Sequence, residues 1–379
     1  MKTFNNLILL VVWGLVGLVS SCRLTDHVLP DDTNRRVAFT ASDGKLYFVN
    51  ANSGQRIWAN PFATPTDVFL EPIFRGKYAY LPVAGGNLLA IDTASKSVAW
   101  QTSFMWLTTP VASTGGLFYV GDRTSRPSAS YFGAVDSTGK ATWSFNSQGS
   151  QPAVGPGILN GVAYFGNSTG TVYALDALTG GKKWELQTGT GFKANLVVGL
   201  QTLFVLPDDG KLYAFDVNTQ NQRWTFPVVP AGYEAMTLDA VNETLYVVGA
   251  DKKVHALNAR TGAKKWEFGT PDGFARSPAV AENAVYIGGQ DGKLYALDAQ
   301  TGQKKWDFAT GGPVSTTPTV ANGVVFFGSN DKKLYALDAA TGAKKWESPV
   351  DGVINTTPVV WTSKGQHTGF RERGGQATN

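Results

Sequence analysis

Asp291-Gly292-Lys293-Leu294-Tyr295-Ala296-Leu297-Asp298-Ala299-Gln300-Thr301-Gly302-Gln303-Lys304-Lys305-Trp306 recurs in recognisable copies along almost the whole chain. The copies end at Trp58, Trp100, Trp143, Trp184, Trp224, Trp266, Trp306 and Trp346, spaced by 42, 43, 41, 40, 42, 40 and 40 residues, which makes eight units of one period. A period of roughly 40 residues suits either paired helices or a four-stranded propeller blade. The interior of the unit decides for strands. Ser277-Pro278-Ala279-Val280 and Asn283-Ala284-Val285-Tyr286-Ile287 are two short β-rich runs, followed by the Asp291-Gly292 hairpin signal. Lys293 to Ala299 alternates polar and apolar as a third strand, Thr301-Gly302 makes a second turn, and Lys305-Trp306-Asp307-Phe308 begins a fourth. Gly, often with Pro, inside each unit disfavours helices. Four strands in each of eight units predict an all-β fold, an eight-bladed β-propeller of antiparallel blades. A blade cannot bury both faces of its own sheet, so each recurring Trp is expected to pack against the neighbouring blade as a structural docking residue.

Working outward, the first copy, Asp43 to Trp58, has only Arg36-Val37-Ala38-Phe39-Thr40 ahead of it, enough for a second strand but no innermost one. At the other end, Ile354-Asn355-Thr356-Thr357-Pro358-Val359-Val360 resembles Val314-Ser315-Thr316-Thr317-Pro318-Thr319-Val320, an innermost strand with no blade after it. The two orphans complete one blade of three N-terminal strands and one C-terminal strand, closing the ring. The propeller is therefore expected over residues 36–361, long enough to build its core without disulfides. The tail, 362–379, is polar and Gly-rich and reads as disordered.

Residues 1–21 hold Lys2, then an apolar run of 13 residues from Leu7 to Val19, then small residues. This is a secretory leader, its run well short of the roughly 20 residues that span a bilayer as a helix. Val19-Ser20-Ser21-Cys22 resembles the lipobox of bacterial lipoproteins, which makes Cys22 the lipidation site and 22–35 a polar tether. Cys22 is the single Cys of the chain. By the same resemblance, Arg23 after the Cys lacks the Asp that marks inner-membrane retention. An outer-membrane lipoprotein facing the periplasm is the expected location. The formal net charge of +4 carries no nucleic-acid signature.

Chemistry is sparse. His27 lies in the tether, His367 in the tail, and His255 takes the place of Tyr295 and Tyr335 in its own copy. No His or Cys cluster has metal-site spacing, and no Ser-His-Asp arrangement presents itself. Asp92, Asp136, Asp176, Asp216, Asp298 and Asp338 precede the Thr-Gly turns, and Asp251, Asp291 and Asp331 sit in the hairpins; carboxylates repeated in so many blades are expected to cap turns. Lys182-Lys183, Lys264-Lys265, Lys304-Lys305 and Lys344-Lys345, with Arg223 at the matching place, predict a basic arc on one rim. It serves either to meet anionic partners or, the favoured reading, to keep edge strands from pairing. Binding is expected where the copies differ, in the loops leading into the innermost strands. These hold Trp106, Phe192, Lys193, Tyr233, Phe274 and Arg276, and they form either a recognition surface or the plug of the channel. One lengthened hairpin, Gly121 to Ser128, adds Arg123 and Arg126.

Ala296-x-Asp298-x-x-Thr301-Gly302-x-x-x-Trp306 resembles the tryptophan-docking motif of PQQ-type propeller repeats. The copies ending at Trp184 and Trp346 match it fully, whereas Asn50 and Asn258 replace the Asp, Lys96 and Gln220 replace the Gly, and the copy from Ala134 to Trp143 is one residue short. The resemblance covers about residues 36–361. One branch, the quinoprotein alcohol dehydrogenases, implies PQQ with calcium, a vicinal disulfide and a catalytic Asp; a sole Cys and the absence of long insertions set this chain apart. The other branch, BamB-like lipoproteins of this length, implies a non-catalytic protein-binding scaffold in outer-membrane β-barrel assembly, with envelope proteins as partners, no cofactor and no nucleic acid. A carbohydrate or small-ligand binding module is the third reading.

Overall fold

The computed structural model describes residues 35–64, 71–83, 87–103, 112–122, 130–147, 150–192, 194–228, 236–274, 276–361 and 367–368. Eight antiparallel sheets follow one another, with no helix among the described residues. Seven of them are four-stranded blades whose strands are adjacent in chain order. The first blade is Ile73–Arg75, Tyr78–Val83, Asn87–Asp92 and Ser97–Ser103; the second is Ala112–Thr114, Leu117–Asp122, Tyr131–Asp136 and Ala141–Asn146. The third to seventh blades span 152–187, 197–227, 236–269, 279–309 and 319–349. The first strands of neighbouring blades approach one another, so they form the inner ring. The last strand of each blade is the outer edge.

The eighth sheet is shared between the ends of the propeller. Its order is Phe62–Ala63, Lys45–Asn50, Arg36–Ala41, Val359–Trp361, with His367–Thr368 beyond. Arg36 faces Trp361, Val37 faces Val360 and Ala38 faces Val359. The expected three-plus-one closure is therefore present. Two hydroxyls reinforce it: Thr40 N–H donates to Thr356 Oγ1 at 3.0 Å, and the two Thr Oγ1 atoms are also 3.0 Å apart. Trp361 is 4% exposed between Phe48 and Phe74, with the Arg36 guanidinium 5.2 Å from its ring centroid. His367–Thr368 pairs with Val360–Trp361 as a fifth strand that the repeat pattern does not signal. The leader, Cys22, most of the tether, and 362–366 with 369–379 of the tail lie outside the described residues.

Within a blade the sequence alternation becomes burial. Lys293–Asp298 buries its four central residues, whereas Lys304–Ala309 is exposed or half-buried throughout. One irregularity recurs between the third and fourth strands of all seven chain-contiguous blades. In the sixth, Ala296 faces Trp306 but Leu297 faces Lys304, leaving Lys305 as an extra residue. This β-bulge tightens the local twist and sends Lys305 and Trp306 in different directions. The same register shift occurs at Ala90/Ile91, Ala134/Val135, Ala174/Leu175, Ala214/Phe215, Ala256/Leu257 and Ala336/Leu337.

Closure should be decisive for stability. Ile354, Val359, Val360 and Trp361 are all at most 4% exposed, and burial of such side chains contributes about 1.5–3 kcal/mol each. Their sum is comparable to the roughly 5–15 kcal/mol by which a domain is stable. Ending the chain at Val350 is therefore expected to abolish the cooperative thermal transition followed by circular dichroism; an unchanged transition would show that the ring closes elsewhere.

Candidate interaction surfaces

The blades are joined by one repeated contact. Trp266 Nε1 donates to Ala299 O of the following blade at 3.0 Å, and Gly302 lies flat on the indole, where a Cβ would stand 2.6 Å from Cδ2. Gly302 also has φ +73°, a left-handed conformation that favours glycine. The joint recurs as Trp143 to Ala177, Trp224 to Ala259 and Trp306 to Ala339, with Gly180, Gly262 and Gly342 on the rings, and as Trp100 to Ser137 with Gly139. Trp346 makes it with Ala51 and Gly54, carrying the same contact across the ring closure. Two joints depart from the pattern. At Trp58 the glycine is replaced by Lys96, at φ +57°, with its Nζ 5.5 Å from the ring centroid. At Trp184 it is replaced by Gln220, at φ +59°, whose Nε2 donates to Val217 O at 3.4 Å and to Asn218 O at 2.8 Å. Val217 holds the place of Ala259 and Ala299, so the Gln amide occupies the carbonyl that an indole takes in the regular joints.

The repeated carboxylates are engaged in turns. Asp298 Oδ1 accepts from Thr301 N–H at 2.9 Å, Gln300 N–H at 3.1 Å and Thr301 Oγ1 at 3.0 Å, and these bonds, led by the Thr301 N–H, hold its carboxyl below the usual range. Asp92 is held down to about 2, first by the Lys77 ammonium and then by the Ser95 and Ala94 N–H groups. In the hairpins a tyrosine donates to the Asp: Tyr47 to Asp43 at 2.5 Å, Tyr213 to Asp209 at 2.5 Å, Tyr335 to Asp331 at 2.6 Å, and Tyr295 to Asp291. His255 keeps this bond in the fifth blade, its Nε2 lying 2.9 Å from Asp251 Oδ2. The histidine is thus a variant of the tyrosine clasp.

The lysine pairs are matched by acids. The bulge residue reaches the turn Asp, as in Lys183 to Asp176 at 3.3 Å, Lys345 to Asp338 at 3.3 Å, and Arg223 to Asp216. Where Asn258 replaces the Asp, Lys265 turns instead to Thr244 Oγ1 at 2.5 Å and Asn242 O at 3.0 Å. The other lysine joins a ladder along the outer strands. Glu267 bridges Lys253 and Lys264, Asp307 bridges Lys293 and Lys304, and Glu347 bridges Lys333 and Lys344, at 2.5–3.2 Å. Lys253, then Lys264, holds the Glu267 carboxyl down to about 2. This charge balance favours the edge-protecting role of the basic arc.

Of the loops leading to the inner ring, the structure places three of the singled-out side chains. Phe192 and Phe274 are each 5% exposed and packed between blades, Phe274 against Phe268 and Tyr295, so these two rings are core wedges and not presented anchors. Arg276 spans the inner ring, donating from Nε to Ser315 O at 3.2 Å and from an η nitrogen to Asn355 O at 3.5 Å. Trp106, Lys193, Tyr233, Arg123 and Arg126 lie outside the described residues. The inner ring also contains sutures that the motif did not reveal. Thr237 Oγ1 donates to Pro278 O at 2.8 Å, Thr319 Oγ1 to Pro358 O at 2.6 Å, and Asn195 Oδ1 accepts from Gly155 N–H at 2.8 Å. The repeated Thr-Thr-Pro at 316–318 and 356–358 contains the acceptor Pro358 but neither donor threonine.

This ring of bare blades coincides with a known sequence pattern. The pattern of the family described as outer membrane protein assembly factor BamB matches residues 11–130, 128–272, 168–306 and 250–363. The chain belongs to that family. A curated member, outer membrane protein assembly factor BamB of Legionella pneumophila (strain Paris), is 26% identical over 186 residues, covering 47% of each chain. The matched stretch thus spans about half the length of that relative. The crystal structure of BamB from Moraxella catarrhalis superposes with a TM-score of 0.62 at 19% identity, over 79% of this chain and 95% of that one. Quinohemoprotein alcohol dehydrogenase from Comamonas testosteroni shares the fold, with a TM-score of 0.61 at 14% identity over 86% of this chain and 72% of that one. Among the described residues, no three His, Cys, Asp or Glu side chains converge to hold a metal ion.

Two measurements test the joints. Gly302→Ala should lower stability by about 2–5 kcal/mol, from left-handed backbone strain and overpacking against Trp266. Gln220→Gly should instead raise the melting temperature, by up to about 1 kcal/mol of stability after the extra entropy of glycine is subtracted; a lowered value would show that Gln220 contributes more than a left-handed turn. The depressed carboxylates set a pH dependence. Their folded pKa values lie below the unfolded ones near 4, so their contribution is complete above that value and is lost as pH falls through about 2. Melting temperature should stay level from pH 7 to about 5 and then fall, less steeply in high salt because the lysines that pair with these groups reach solvent; a maximum near pH 3 would contradict the assignment.

Proposed function

We propose that this chain is a non-catalytic, lipid-anchored propeller of the cell envelope, held at the outer membrane through an acylated Cys22 and facing the periplasm. It binds envelope proteins as a scaffold in the assembly of outer-membrane β-barrel proteins. The observation that carries this reading is the family match running from residue 11 to 363. The relatives named as outer membrane protein assembly factors support it. So does the engagement of the recurring Asp and Lys side chains, and of His255, in turns, clasps and ladders, which leaves them in structural service. A closed ring has little freedom to change shape, which suits a platform that presents fixed surfaces. In this reading Trp106, Lys193 and Tyr233 contribute contacts from the segments joining the blades, and Arg123 and Arg126 from the lengthened hairpin of the second blade.

Fractionation of envelopes and affinity capture test it together. The unaltered chain should sediment with membranes and recover outer-membrane barrel assembly proteins, whereas Cys22→Ala should move to the soluble fraction. Substituting Trp106, Arg123 and Arg126 by Ala should cut recovery severalfold with an unchanged melting temperature. Membrane association that survives Cys22→Ala would remove the anchor from the account, and capture of no envelope protein would remove the scaffold.

A further inference from the structure

Chain direction sorts the loops of every blade onto two faces. Because the four strands are antiparallel, the turn between the first and second strands lies on the same face as the Thr-Gly turn between the third and fourth. The Asp-Gly hairpins and the segments joining the blades lie on the other face. On the face of the Thr-Gly turns, the cations of the third to seventh blades reach carboxylates, as in Lys182 to Glu185, Lys183 to Asp176, Arg223 to Asp216 and Arg260 to Glu243. The lysine pairs of the sixth and seventh blades do the same. Lys265 is the exception, and it is bonded to Thr244 and Asn242.

The closing, first and second blades, consecutive in the ring, break this balance. On this face they carry Arg36, Arg56, Arg75, Lys77, Lys96 and Lys140 against only two described carboxylates, Asp92 and Asp136, since the closing blade has Asn50 at its turn. Asp92 is taken by Lys77 at 2.8 Å. Asp136 accepts from Thr138 Oγ1 at 2.6 Å and from the backbone N–H of Lys140 at 3.1 Å, not from its ammonium. Arg56, Arg75, Lys96 and Lys140 are exposed, Arg36 is half-buried, and none of the five makes an ion pair among the described residues. Three of them lie over aromatic rings, Arg36 at 5.2 Å from Trp361, Arg56 at 5.5 Å from Tyr47 and Lys96 at 5.5 Å from Trp58. Such contacts position a cation without neutralising it.

The tether joins the ring on this same face. Arg36 begins the second strand of the closing blade opposite Trp361. Cys22 precedes Arg35 by 13 residues, at most about 45 Å of extended chain. The part of the ring nearest Cys22 along the chain is therefore the part whose cations lack acids. We infer that this face of the closing, first and second blades lies against the membrane and binds the phosphates of anionic lipid headgroups. The inference rests on the anchored reading above for its setting: acyl chains on Cys22 hold the chain at the surface, and the patch orients it. Cations spread over three blades, with no pocket to enclose a single ligand, suit a plane of mobile phosphates. The opposite face, with the segments joining the blades, is thereby left to protein partners.

The test uses the processed chain, residues 22–379, carrying Cys22→Ala so that no acyl chain contributes. Its co-sedimentation is measured with vesicles of phosphatidylcholine, alone or with one-third phosphatidylglycerol. The chain should bind the anionic vesicles, ignore the neutral ones and be released by high salt. Arg75→Gln with Lys96→Gln and Lys140→Gln should weaken binding at least tenfold, each cation at an anionic surface being worth about a factor of five. The cooperative thermal transition should be retained, since Gln220 already fills the Lys96 place in the fourth blade. Lys211→Gln with Lys252→Gln and Lys332→Gln removes the same charge from the hairpin face and should leave binding unchanged. Binding that is absent, that survives the first triple variant, or that falls equally with both overturns the inference, the last because net charge alone would then suffice. Survival of vesicle binding with loss of envelope-protein capture would assign the patch to an acidic protein. Binding that appears only after Asp26, Asp31 and Asp32 are changed to Asn overturns it too, because the patch would then serve its own tether. Salt-washed envelopes separate this result from the anchor: an acylated chain withstands the wash and the patch does not. Retention of Cys22→Ala there removes the anchor, while the vesicle result stands by itself.

Discussion

An indole on one blade, a carbonyl on the next and a glycine with no side chain between them form the contact on which this molecule depends. Propeller blades are twisted sheets, and twisted sheets packed face to face leave a wedge that widens away from the axis. A tryptophan near the outer edge fills that wedge, and its single N–H fixes the distance by reaching one defined carbonyl. The glycine then has two simultaneous duties: a left-handed turn and a surface flat enough for the ring. Trp346 with Ala51 and Gly54 shows that the chain ends are joined by the same contact as its middle.

That repetition explains what could be read from the sequence. Period, strand number and the turn-capping Asp residues follow from one local pattern repeated along the chain, and the three-plus-one closure, which pairs Arg36 with Trp361, was legible because the two chain ends carry unmatched strands of that same pattern. What could not be read depends on register between distant strands. The Thr319 bond to Pro358 and the Arg276 reach to Asn355 join different blades. The fate of Phe192 and Phe274 was equally non-local. Their place near the channel was legible, but whether an aromatic ring there points outward or wedges inward is set by the neighbouring blade, not by its own loop. Lys304 and Lys305 looked alike in sequence, and only the bulge assigns one to the ladder and the other to the turn Asp.

Functionally, most blades combine acids and bases so closely that their edges present little net field, which keeps them from pairing with other strands. The quinoprotein likeness, by contrast, is a likeness of fold: the same blades, without a convergent set of metal donors among the described residues.

Closure of the ring is an ordinary joint. Urea unfolding of Trp346→Phe and Trp266→Phe compares the joint at the seam with one inside the ring, each losing one indole N–H bond to a backbone carbonyl and so about 1 kcal/mol. Equal falls in midpoint with unchanged slopes are expected. A Trp346→Phe chain that unfolds like the unaltered protein, while Trp266→Phe is destabilised, would contradict it.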